Sequence, residues 1–249
     1  MFYPADSSTL QRTVAGLLSA APAAEGVAKA IIAPHAGYQY SGPTAAHAYN
    51  LFQGRRGQVR RVVLLGPAHT TYVKGMALPS VDAFSTPLGD VPIDKQAIEQ
   101  LLELPGIEIN DEAHAAEHSL EVHLPFLQTV LSDFLLVPVV VGVCTARHVE
   151  TVLEAMWGGD ETAIVVSSDL SHFHAYSEAR ELDASTTARV EALDSTLHGE
   201  DMCGAYAVNG LMLMAKEHGP NVRTLEICNS GDTSGDKFRV VGYGAYAIS

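Results

Sequence analysis

Three histidines each follow a short apolar run: His35 after Ile31-Ile32-Ala33-Pro34, His69 after Val62-Val63-Leu64-Leu65-Gly66-Pro67-Ala68, and His172 after Ile164-Val165-Val166-Ser167-Ser168-Asp169-Leu170-Ser171. Imidazole ligates transition metals and moves protons near neutral pH, so three of them in equivalent settings point to metal or proton chemistry. Any one such histidine is more often a hydrogen-bonded structural residue; the repetition carries the reading. Asp169 precedes His172 by three residues and can orient an imidazole by accepting from one ring nitrogen. Ser167 and Ser168 add hydroxyls, but no Gly-x-Ser-x-Gly elbow surrounds them.

A second concentration of ionisable groups is Glu117-His118-Ser119-Leu120-Glu121-Val122-His123. Read as a helix, it places Glu117 and Glu121 on one face and Ser119 and His123 together; a solvated charged helix is the plain alternative. His114 and His118 have the i, i+4 spacing of a zinc-binding pair, but residue 115 is Ala where His-Glu-x-x-His needs Glu. Cys203-Gly204 opens a segment through Leu211-Met212-Leu213-Met214 that reads as a buried helix over 203–217. A thiol at that N-terminus should have a lowered pKa. Cys144 and Cys228 read as core or loop thiols, and three irregularly spaced cysteines make no disulfide framework. The glycine- and aspartate-rich residues 229–236 read as a double turn without EF-hand spacing.

These side chains need a scaffold. The apolar runs before the three histidines read as buried strands, and residues 134–141, rich in β-branched residues and broken by Pro138, read as another. Segments of helical period alternate with them: 41–52 with a capped start, 94–104 with Asp94 as N-cap, 146–157 and 177–193. Residues 238–248 alternate as a strand near a sheet edge would. Strands alternating with helices predict an α/β fold, a single domain over 1–249 with a central mixed, largely parallel sheet flanked by helices. In such sheets ligands bind beyond the carboxyl ends of the strands, where residues 35, 69 and 172 can meet.

Composition narrows the partners. With 29 acidic against 15 basic residues, the net charge of −14 repels phosphate backbones and anionic membrane surfaces, so a small-molecule or peptide ligand fits better than nucleic acid or membrane. No window reaches the roughly 18 to 20 apolar residues of a membrane span, and the start lacks the form of a signal peptide, so a cytoplasmic protein is expected.

Taken in order, Phe2-Tyr3-Pro4-Ala5-Asp6, Ala33-Pro34-His35-Ala36-Gly37-Tyr38, Gly66-Pro67-Ala68-His69, Glu117-His118-Ser119 with Glu121 and His123-Leu124-Pro125, Ser167-Ser168-Asp169 with His172, Cys203-Gly204 and Ser230-Gly231-Asp232 resemble the Memo family, which includes the "AmmeMemoRadiSam system protein B" proteins. The resemblance spans almost the whole chain. It implies a fold related to the class III extradiol (LigB-type) dioxygenases, which hold non-haem iron with two histidines and a glutamate and use a further histidine as acid/base. By the family's motifs, His35 and His69 map onto metal ligands, Cys203 onto the third position, and His172 onto the acid/base with Asp169 as its orienter. Glu117, His118 and His123 are expected around these ligands. The resemblance favours iron; a thiolate in place of a carboxylate softens the site and makes copper or zinc the alternatives. The implied activity is a metal-dependent oxidoreductase, with a non-catalytic metal-binding or signalling module as the rival. Family members commonly carry a short segment before the Phe-Tyr-Pro motif, so a truncated start is an open alternative.

Overall fold

The structure is a computed structural model describing residues 2–23, 25–219 and 221–249. Eleven strands form among these residues: β1 (Ala30–Ala33), β2 (Arg61–Pro67), β3 (Met76–Leu78), β4 (Ala83–Thr86), β5 (Gly89–Pro92), β6 (Ile107–Ile109), β7 (Leu135–Val141), β8 (Thr162–Ser167), β9 (His172–His174), β10 (Val222–Asn229) and β11 (Val240–Ile248). All but β4 and β5, which make a hairpin, join one mixed sheet of order β10-β11-β1-β8-β2-β7-β3-β6, with β9 added to β11. Its centre, β1-β8-β2-β7, is parallel. Val62, Val63, Leu64 and Leu65 of β2 have no exposed surface, which explains why that run is continuously apolar rather than alternating.

The helices are α1 (Ser7–Ala20), α2 (Tyr38–Gln53), α3 (Lys95–Leu102), α4 (Asp111–Ala115), α5 (His118–Glu121), α6 (Leu124–Val130), α7 (Ala146–Met156), α8 (Tyr176–Glu191), α9 (Ala205–His218) and α10 (Ser230–Ser234). The α1, α2 and α6 helices pack together, as do α7 and α9. The Asp94 carboxylate accepts from Ala97 N and starts α3 as expected. Pro138 sits inside β7 with a paired strand on one side only, because β3 reaches just Val140 and Val141. The result is a single α/β domain.

Several local expectations are corrected. Helix α2 begins at Tyr38, three residues before the expected start, and its N-cap Gly37 has no capping side chain. The C-terminal strand is no edge: β10 pairs along it on one side and β1 on the other, which is why its residues are buried almost throughout. Residues 229–236 contain a helical turn, α10, closed by a reciprocal capping box between Asn229 and Asp232 rather than a double turn.

Candidate metal centre

Strand β8 lies between β1 and β2, so the carboxyl ends of three neighbouring parallel strands open side by side. The chain leaving β1 carries His35, that leaving β2 carries His69, and β8 ends in Ser167-Ser168-Asp169. Gly66 lets a fourth segment approach: a Cβ there would lie 2.7 Å from Ser119 Oγ and 2.8 Å from Leu120 Cδ2, so only glycine lets α5 settle on the end of β2.

That approach brings His118 into the group. The expected single helix over 117–123 is instead one turn, α5, capped by Glu117, and followed by α6; His114 lies on the separate α4 and does not join His118. His35, His69 and His118 each offer a ligand atom within 4.8 Å of the others. His35 is buried, His118 half-buried and His69 exposed, so the group opens from the core to the surface. The His69 and His118 rings stack with centroids 5.1 Å apart, His35 meets both edge-on, and Phe2 stacks on His118 at 4.3 Å.

The outer nitrogens are already engaged. His35 Nδ1 bonds Ser167 Oγ at 2.6 Å and His69 Nδ1 pairs with Glu117 Oε1 at 3.0 Å, leaving Nε2 of each ring for a ligand. Glu117 also accepts from His69 N (2.6 Å) and Ser119 N (2.9 Å). Burial would raise the pKa of this carboxyl, but the hydrogen bonds from His69 and Ser119 outweigh it and bring the value down to about 2. A fixed carboxylate behind an imidazole increases its basicity. Replacing Glu117 by Gln is therefore expected to weaken metal binding by ~10- to 100-fold in a zinc titration, and unchanged affinity would leave Glu117 a capping residue only.

Cys203 Sγ lies 3.5 Å from His35 Nε2. A sulfur at ~2.3 Å and a nitrogen at ~2.1 Å from one tetrahedral ion stand about 3.6 Å apart, so the thiol and His35 fit a shared metal. The expectation of a lowered thiol pKa is overturned. Helix α9 starts at Ala205, leaving Cys203 outside its first turn, and burial together with the Asp169 carboxyl beside it pushes the thiol up to about 12. Burial, and then the facing His69 and His118, hold His35 well below its ordinary range, so its ring is neutral and able to ligate. The donor set, imidazoles with an adjacent thiol, suits a transition metal.

Gly204 determines how closely Cys203 packs on β8. A Cβ at 204 would press on the Ser167 carbonyl and come within 2.7 Å of Ser168 Cβ, and backbone there cannot yield cheaply. Gly204→Ala is expected to destabilise the protein by about 1–3 kcal/mol in denaturant melts and to displace Cys203; a wild-type midpoint would contradict this.

Among the hydrogen bonds of the described residues, none joins Asp169 to His172, the expected pair. Asp169 Oδ1 accepts from His35 N at 2.9 Å, Oδ2 lies 3.9 Å from His35 Nε2, and its own N–H donates to Cys203 Sγ at 3.2 Å. Burial raises its pKa. His172, half-buried on β9, is close enough to act electrostatically on both His35 and Asp169. The next residue, Phe173, has φ +64, a conformation costly for a bulky side chain, and its exposed ring lies 5.8 Å from His172. His123 sits behind His35, bonded to Ser167 Oγ at 2.8 Å and to the Tyr49 hydroxyl at 2.7 Å. Ser167 was legible only as a strand-end serine, and Tyr49 carried no sequence signal beyond an apolar helix face.

The profile of the family described as "Memo-like protein" matches residues 1–247. The chain belongs to the Memo family. It is 35% identical to a MEMO1 family protein of Methanopyrus kandleri over 98% of this chain and 94% of that one. A MEMO1 family protein of Aquifex aeolicus is 36% identical, covering 97% and 94%. That of Aeropyrum pernix is 38% identical, covering 88% and 83%. Among solved structures, an uncharacterized protein from Escherichia coli K12 shares the fold with a TM-score of 0.58 and 15% identity, over 88% of this chain and 99% of that one. Of the Memo motifs quoted above, those carrying His35, His69, Glu117, Ser167, Asp169 and Cys203 are joined by the contacts described, and His118 joins the imidazoles there. No helix among the described residues is long and apolar enough to cross a membrane.

Proposed function

We propose that this Memo protein is a metal-dependent oxidoreductase resembling the non-haem iron extradiol dioxygenases, acting on a small molecule bound at the strand ends. The observation that supports it most is the cluster of His35, His69 and His118, in which His35 and His69 have Nδ1 engaged by Ser167 and Glu117 and His35 Nε2 also lies 3.5 Å from Cys203 Sγ. His35, His69 and Cys203 would hold the metal, iron by resemblance, with His118 as a further donor on the open side. When bound, the metal would supply Lewis acidity and redox chemistry at the positions these side chains leave open. His172, at the rim, would take a proton from the substrate, and Asp169, buried against His35, would hold His35 and Cys203 in place through the hydrogen bonds given above.

An anaerobic iron-loaded sample given dioxygen and a panel of catechols tests the reading. Oxygen uptake with ring-cleaved product is the expected result. Tight metal retention without uptake on any catechol would favour a metal-holding module instead, a role that the soft Cys203 donor also suits.

A further inference from the structure

Behind His35 a line of four side chains runs into the core. His35 Nδ1 is 2.6 Å from Ser167 Oγ, Ser167 Oγ is 2.8 Å from His123 Nε2, and His123 Nδ1 is 2.7 Å from the Tyr49 hydroxyl. All four residues are buried, so these polar atoms depend on one another for hydrogen bonds. Each neutral imidazole carries one hydrogen on one of its two nitrogens, and each hydroxyl donates one. Two orders run head to tail along the line; a third, with both imidazoles donating to Ser167 Oγ, leaves the Ser167 hydrogen without an acceptor.

In the first, Tyr49 O–H donates to His123 Nδ1, His123 Nε2–H donates to Ser167 Oγ, and Ser167 O–H donates to His35 Nδ1. His35 then carries its hydrogen on Nε2, facing Cys203 Sγ at 3.5 Å. In the second, His35 Nδ1–H donates to Ser167 Oγ, Ser167 O–H to His123 Nε2, and His123 Nδ1–H to the Tyr49 oxygen. Four hydrogens are held in either order, so the exchange neither gains nor releases a proton. An imidazole ligates through a nitrogen that carries no hydrogen, and of the two head-to-tail orders only the second lets His35 offer Nε2.

We propose that Ser167, His123 and Tyr49 are positioning residues for His35, and that His35 reverses the hydrogen order of the whole line when it takes up a metal through Nε2. The proposal rests on the metal-site reading above. In the first order every donor has an acceptor. In the second, the Tyr49 hydroxyl hydrogen has no acceptor among the hydrogen bonds of the described residues, its ring being stacked on Phe126 at 4.8 Å and set edge-on to Phe52. Tyr49 is thus the stop of the line, and its unpaired hydrogen opposes metal uptake. A coupling of this kind sets metal affinity from a residue that never touches the metal.

The test is histidine-tautomer NMR on ¹⁵N-labelled protein, without metal and with one equivalent of Zn(II) as the probe. His123 is expected to carry its hydrogen on Nε2 in the zinc-free protein and on Nδ1 in the zinc-loaded protein. In Ser167→Ala the line is cut, and the His123 tautomer should stop responding to zinc. Tyr49→Phe leaves His123 Nδ1 without a partner in either order, so the zinc-free variant is expected to show both His123 tautomers rather than Nε2–H alone. Zinc bound at His35 Nε2 with an unchanged His123 tautomer would overturn the proposal while leaving the metal site standing. Absence of zinc uptake would overturn both. A zinc-free Tyr49→Phe protein with the wild-type His123 tautomer alone would overturn the assignment of Tyr49 as the stop.

Discussion

His35→Ala is expected to abolish stoichiometric metal binding, lowering affinity by more than the ~100-fold that loss of a supporting hydrogen-bond partner can cost. His35 is the member of the group that every donor set shares: it lies within 4.8 Å of both His69 and His118, and its Nε2 is 3.5 Å from Cys203 Sγ. Its backbone N–H bond to Asp169 survives the substitution, so circular dichroism and thermal melts should show a folded protein. Metal content by elemental analysis and affinity by competition titration give the readout. A folded His35→Ala protein with wild-type stoichiometry would remove this cleft from consideration as the metal site. The same measurements on Cys203→Ser and His118→Ala decide the remaining donor. The resemblance favours Cys203, and its distance to His35 fits a shared ion; His118 is favoured by its place among the imidazoles. A steep loss in Cys203→Ser with a small one in His118→Ala is the expected pattern.

In iron-loaded protein turning over a catechol, His172→Ala is expected to lower the rate by ~10²- to 10⁴-fold with metal content nearly unchanged, the range for loss of a general acid or base. His172 lies close enough to influence His35 and Asp169 electrostatically, yet it is outside the set of donors that lie within 4.8 Å of one another. It is carried by β9, a three-residue strand held to β11 through Val240 and Val241, followed at once by the strained backbone of Phe173. The decisive comparison is the rate per bound iron in wild type and variant. Loss of metal with an unchanged rate per iron would make His172 a ligand and take from it the role of proton carrier.

The strand ends that carry His35 and His69 were legible because a run buried on both faces must be apolar at every position, and such runs stand out without knowledge of their neighbours. Periodicity and an Asp side chain sufficed in the same way for α3, whose N-cap bond spans only three residues. Motif order was enough to indicate the Memo family. What the local pattern misjudged shares a cause: each case depends on a distant segment. The strand over 240–248 became interior because β10 and β1 both pair with it. Residues 117–123 broke into a capped turn because Glu117 reaches across to His69, 48 positions away. The Cys203 thiol is raised rather than lowered because it precedes α9 and is acted on by burial and by Asp169. His118 entered the donor group through Gly66, and Tyr49 came to stand behind His35 through His123 and Ser167. Local sequence carries the propensities of single elements, so it determined which strands and helices form and which residue types end them. Hydrogen-bond partners, burial and charge environment are properties of side chains brought together from the whole chain, and only the tertiary structure decided those.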